Sequence, residues 1–155
     1  MEGKVYNKMT AKEIISLLPY QKPFLFVDEL VSISENSVKG TYQFKEDEYF
    51  YKGHFKDKPI TPGVILTEVM AQIGVVCLGV FLLAKEDENL EKAQVALTSN
   101  EIDFFKPVFP NEKVIVESKK VYFRFQKLKC KVEMYNSKNE LVCRGTIAGM
   151  LKLGL

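Results

Sequence analysis

The chain holds one histidine, His54, in the triplet Gly53-His54-Phe55, and Glu68 follows fourteen residues later as the sole carboxylic acid in the apolar run from Val64 to Leu83. Between them stands Lys56-Asp57-Lys58-Pro59-Ile60-Thr61-Pro62-Gly63. A histidine side chain titrates near neutrality and can serve as a base at pH 7. A carboxyl in apolar surroundings is pushed toward its protonated form and can serve as an acid. Thr61-Pro62 reads as the N-cap and first position of a helix. The first N–H groups of that helix, on Gly63, Val64 and Ile65, would lack internal partners and carry partial positive charge, which polarises a carbonyl and stabilises an enolate. Gly63 would let a ligand approach the backbone closely. Gln72, four residues after Glu68, shares its helical face. Together these groups describe proton abstraction beside an activated carbonyl, with an acid to hand. Each also has a plainer reading: Pro-Gly as a simple turn, Glu68 as a hydrogen-bonded core acid, His54 as an ordinary core or surface histidine.

The elements that would position these groups can be read from pattern. Thr10-Ala11-Lys12-Glu13 is a capping-box sequence, and Ile14, Ile15, Leu17 and Leu18 make a short amphipathic helix stopped by Pro19. Strand-like runs cover Phe24 to Ile33 and Val38 to Phe44, with a hairpin at Ser34-Glu35-Asn36-Ser37. The loop from Lys45 to Thr61 carries the histidine, and loops of that length are often functional. A long helix then runs to Leu83–Lys85, with a charged turn after it through Glu91. Four further strands are expected near Ala93–Phe104, Lys113–Phe125, Lys127–Asn136 and Leu141–Lys152, the last two joined at Asn136-Ser137-Lys138-Asn139. One apolar helix and about six mostly antiparallel strands define an α+β class, in which a single curled sheet wraps the helix.

Composition bounds the partners. The 155 residues suit one domain, 1–155, with 46% hydrophobic and 27% charged residues and a formal net charge of +2. Residues 101–155 carry eleven Lys/Arg against six Asp/Glu, whereas residues 1–100 carry eleven against fourteen, so the second half favours an acidic partner or simply solvates a sheet face. Cys77, Cys130 and Cys143 form no CxxC pair, which speaks against a disulfide framework or zinc site and for a reduced, cytoplasmic setting. Val64 to Leu83 is long enough to span a bilayer, but Glu68 would lie in hydrocarbon; a helix buried in its own sheet is the expected outcome. No export signal is visible and none is expected, and the sequence shows no nucleotide loop or elbow serine.

Four motifs carry a resemblance. Leu18-Pro19-x-x-x-Pro23-Phe24-Leu25-x-Val27-Asp28, Gly53-His54-Phe55-x-x-x-Pro59-Ile60-x-Pro62-Gly63-Val64, Glu68-x-Met70-Ala71-Gln72 and Phe104-x-Lys106-Pro107-Val108-x-Pro110 resemble, in order, those of the FabZ-type 3-hydroxyacyl-[acyl carrier protein] dehydratases. The match runs over about residues 14–150. It implies the hot-dog fold, a six-stranded antiparallel sheet around one long helix, in dimers or trimers of dimers with sites shared between protomers. It implies catalysis without a cofactor, His54 of one protomer as base and Glu68 of the other as acid. Gly63 and Val64 at the helix start, with Phe55 and Gln72, would contact a substrate delivered on acyl carrier protein. Lys106, Lys120 and Arg124 would face that acidic carrier; neither nucleic acid nor membrane is an expected partner. Tyr20-Gln21-Lys22, Lys56-Asp57 and Thr61 depart from the usual family residues, and no gating aromatic stands near Val95 and Ala96. A hot-dog acyl thioesterase and a non-catalytic acyl-thioester binder are the alternatives. The pathway is either fatty acid synthesis or a related lipid or polyene route.

Overall fold

The structure is a computed structural model and describes residues 9–85 and 93–153. Helix α1 (Ala11–Ser16) begins where the capping sequence predicts, with the Thr10 hydroxyl accepting from the Glu13 N–H. Strands β1 (Glu29–Ile33) and β2 (Ser37–Gln43) form the first hairpin. Next come helix α2 (Gly63–Ala84) and strands β3 (Ala93–Phe104), β4 (Lys113–Arg124), β5 (Lys127–Asn136) and β6 (Leu141–Leu153). All strand pairs are antiparallel, in the order β1-β2-β4-β5-β6-β3. The charged turn expected through Glu91 lies outside the described residues.

Alternation explains the sheet. Along β4, Val114, Val116 and Ser118 point inward, and along β5 so do Leu128, Cys130, Val132 and Met134, while lysines and glutamates alternate outward. These inward rows close on α2, whose apolar residues form the core: Val69, Met70, Ile73, Val75 and Leu78 are all buried. At 22 residues α2 is long and apolar enough to cross a membrane, but 78% of its most apolar stretch is buried in this fold, so the sheet satisfies the helix that sequence left without a partner. All three cysteines are buried and unpaired.

Two details of α2 depart from expectation. Thr61 does not cap it: Pro62, with ψ of 140°, is the N-cap, and the Thr61 hydroxyl instead meets that of Tyr51. From Gln72 to Cys77 the helix widens into π geometry before returning to α at Leu78, and the Ser118 hydroxyl donates to the Gly74 carbonyl within that stretch. The first strand also differs. Phe24 to Asp28 is extended in sequence character but lies outside β1, because Gln72 rather than a neighbouring strand takes up the backbone groups of Phe24 and Phe26.

Candidate functional site

A single 3₁₀ turn, Tyr49–Lys52, delivers the chain to Gly53-His54. The loop then folds back on itself, with the Phe55 N–H donating to the Lys58 carbonyl and the Ile60 N–H donating to the His54 carbonyl, both at 2.9 Å. Nδ1 of His54 lies 2.8 Å from the Ile60 carbonyl oxygen. A carbonyl only accepts, so Nδ1 carries the proton and Nε2 of the neutral ring keeps its lone pair. The Phe55 ring stacks on the imidazole at 4.0 Å and is itself 57% exposed.

A short way along the chain, α2 begins. The Ile65 and Leu66 N–H groups both donate to the Pro62 carbonyl, so of the three N–H groups expected to be free, Ile65 is engaged. Those of Gly63 and Val64 have no acceptor among the described residues. A β-carbon at Gly63 would stand 3.2 Å from the Phe104 ring, so glycine is what keeps this helix end open beneath that ring. His54 and Gly63 line one cleft of about 410 Å³ with Ile60, Thr61, Leu66, Phe104, Phe105, Lys106 and Pro107. Val64 is 77% exposed beside it but does not line it, and neither does Phe55. The aromatic and apolar walls supplied by Phe104, Phe105 and Leu66 were not singled out from sequence. Phe104 stood within a quoted motif, which was the one available signal.

Glu68 is not in that cleft. Its carboxylate accepts from the Gln72 side-chain amide at 3.0 Å, and burial raises its pKa above the ordinary carboxyl range against the opposing pull of that bond. Gln72 is fully buried; its oxygen accepts from the Phe26 N–H at 2.8 Å and its nitrogen also donates to the Phe24 carbonyl at 2.9 Å. Both amide protons are therefore engaged, and Gln72 holds Glu68 rather than facing a ligand. Within one chain the histidine and the helix end line one cleft, and the acid is not among the residues that line it.

The three basic residues do not form one patch in a chain. Lys106 pairs with Glu140 at 2.9 Å, next to Asn136, whose register partner is Val114 at the start of β4. Lys120 bonds the Asn36 carbonyl through its N–H, and Arg124 lies over the Tyr122 ring at the far end of the same strand. The seven residue steps from Lys113 to Lys120 along the strand amount to roughly 23 Å.

A long helix rolled in an antiparallel sheet, with a histidine loop beside its N-terminus, defines a hot-dog protein. Comparison with solved structures agrees on the fold: the dehydratase heterocomplex ApeI:P from Xenorhabdus doucetiae superimposes with a TM-score of 0.74 over 90% of each chain at 14% identity. A hypothetical thioesterase with coenzyme A from Streptococcus pneumoniae gives 0.58 over 81% of this chain and 85% of that one, at 12% identity. The family model for the FabA-like domain matches residues 18–148. A 3-hydroxyacyl-[acyl-carrier-protein] dehydratase FabZ from Caldicellulosiruptor saccharolyticus is 32% identical over 140 residues, 90% of this chain and 96% of that protein. Another from Ehrlichia canis is 31% identical over 145 residues, 91% and 94%. The chain belongs to the FabZ-type dehydratase family within the FabA-like domain class.

Proposed function

We propose that this protein removes water from a 3-hydroxyacyl thioester carried on acyl carrier protein and forms the trans-2-enoyl thioester. The setting is the cytoplasm, and the route fatty acid or a related lipid or polyene synthesis. The observation that carries the reading is one cleft lined both by His54, whose Nδ1 is engaged so that Nε2 keeps its lone pair, and by Gly63, whose N–H is unpartnered. His54 Nε2 takes the C2 proton, and the C–H electron pair moves onto the thioester carbonyl, stabilised at the start of α2. The enolate then expels the C3 hydroxyl, which takes a proton from a Glu68 carboxyl and leaves as water. Burial of Glu68 supports that role, since it favours the protonated form needed of an acid. Solvent restores the proton to Glu68 and removes the one on His54.

The acid comes from Glu68 of the partner subunit in a homodimer, or in a trimer of such dimers. Two features support this: the absence of Glu68 from the lining of the His54 cleft, and β3, whose described strand neighbour is β6 alone and whose residues 94–104 are largely exposed. An unpaired edge of that length is a natural surface for a second copy. Lys106, Lys120 and Arg124 attract the acidic carrier, from two ends of the sheet within each chain.

The test is incubation with 3-hydroxyacyl-carrier substrates of several chain lengths, reading enoyl product and free thiol separately. Enoyl formation that falls ~10²–10⁴-fold in both His54→Ala and Glu68→Gln is expected. Thiol release without enoyl product would replace the reading with thioester hydrolysis, and binding without turnover would replace it with a sensor. Mixing the two inactive variants under subunit exchange should restore about a quarter of wild-type activity, because half of the dimers then hold one intact site. No restoration would place both groups in one chain.

A further inference from the structure

Thr61 joins the two halves of the site. On one side of it the Ile60 carbonyl receives the Nδ1 proton of His54; on the other, Pro62 and Gly63 open α2. Thr61 is 3% exposed, its N–H donates to the Val108 carbonyl at 2.9 Å, and its hydroxyl lies 2.6 Å from the hydroxyl of Tyr51, which is 6% exposed. Among the described residues these two hydroxyls are each other's sole hydrogen-bond partners. Tyr51 precedes His54 by three residues and Thr61 comes seven after it. The bond therefore ties together both ends of the loop that carries the base. Burial pushes the Tyr51 phenol up to about 12, with the Glu48 and Glu112 carboxylates adding to it against the Thr61 bond, so Tyr51 keeps its proton across the working range. The Phe50 ring, 4.7 Å away, packs edge-on against Tyr51 and limits its movement.

We propose that the Tyr51–Thr61 hydrogen bond sets the position of His54 Nε2 relative to the Gly63 N–H, making both hydroxyl residues positioning residues for the reaction proposed above, on which this inference rests. Proton abstraction and carbonyl polarisation must act on adjacent substrate atoms, and a displacement of about 1 Å costs about 10²-fold in rate. A loop that holds the imidazole through one carbonyl needs that carbonyl fixed. Thr61, locked to the Val108 backbone on one side and to the incoming turn through Tyr51 on the other, fixes it from both directions.

The decisive variant is the double change Tyr51→Phe with Thr61→Val, which removes both hydroxyls and orphans neither. It should keep a melting temperature near wild type, lower kcat for enoyl formation about tenfold or more, and leave KM within about twofold. Because the chain has one histidine, protein labelled with ¹⁵N-histidine gives a single imidazole pair by NMR. The wild type should show the Nδ1–H tautomer of the neutral ring, and the double variant a gain in Nε2–H. Each single variant strands one buried hydroxyl and loses stability as well; should either fail to fold, the double variant carries the test. A folded double variant with wild-type kcat, or one with an unchanged imidazole spectrum, overturns the proposal. A wild type that forms no enoyl product defeats the dehydratase reading instead, and the imidazole signal still reports on the bond.

Discussion

Replacing Gln72 with leucine tests the arrangement around the acid. Leucine exceeds glutamine by roughly one methylene, so some repacking adds to the loss of three hydrogen bonds at 2.8, 2.9 and 3.0 Å. The N–H of the fully buried Phe26 would have no acceptor, which costs about 1–3 kcal/mol. The Phe24 carbonyl is only partly buried, so water can replace part of its bond and the loss is nearer ~1 kcal/mol. The sum is about 2–4 kcal/mol, and at roughly 2–4 °C per kcal/mol for a chain of this size the melting temperature should fall by about 4–16 °C. Gln72→Glu is the control: it can still accept from Phe26 but loses both donors and places a second carboxyl beside Glu68. Urea unfolding monitored by far-UV circular dichroism, with calorimetry alongside, measures both variants. A leucine variant that loses less than about 0.5 kcal/mol at unchanged m would refute the bracing role of Gln72.

Further consequences concern charge and space. The folded-state pKa of Glu68 is raised, so the native protein binds that proton more tightly than the unfolded chain and loses stability as pH climbs from the ordinary carboxyl range through the raised value. Glu68→Gln should therefore gain stability relative to wild type at about pH 8 and little at about pH 4. Melting curves at the two pH values decide it, and a gain that is larger in acid refutes the burial argument. A β-carbon at Gly145 would fall 1.9 Å from the Glu101 backbone oxygen, so Gly145→Ala must part β3 from β6 and should cost about 3 kcal/mol or more. Gly53→Ala, with nothing within 4 Å of the added carbon, should stay within about 0.5 kcal/mol by the same chemical-denaturation measurement.

Much of this was legible in the chain. The limits of β5 fall where alternating residues predict them, because its inward and outward rows leave no second register that buries the same side chains; those of β3 also fall where expected, although that strand is exposed along most of its length. Phe24 to Asp28 misled for a nameable reason: its β-rich composition meets a helix side chain, and strand propensity does not say which partner takes the backbone groups. The π stretch was invisible, since a helix buried on every side has no periodic stripe to be broken. Thr61 was placed at the helix cap because the Thr-Pro signal ignores tertiary partners, and the buried Tyr51 hydroxyl outcompeted the helix end. Spacing singles out His54, Gly63 and Glu68 as candidates. It cannot report that the first two line one cleft and the third does not, since fourteen residues of separation are compatible with either outcome.

The widened stretch from Gln72 to Cys77 has a bearing on how such a chain changes over generations. A π turn accommodates one residue more than an α turn, so it absorbs an offset between the helical segments on its two sides. Ahead of it lie Gly63 and Glu68, with Gln72 at its first position; behind it lies Leu78–Ala84, which meets β6 through residues such as Gly79, packed on Leu151. A length change or repacking behind Cys77 can be taken up there without rotating Glu68. The two halves of one helix are thus seated separately: the rear is packed against β6, while the front keeps Glu68 on the Gln72 amide.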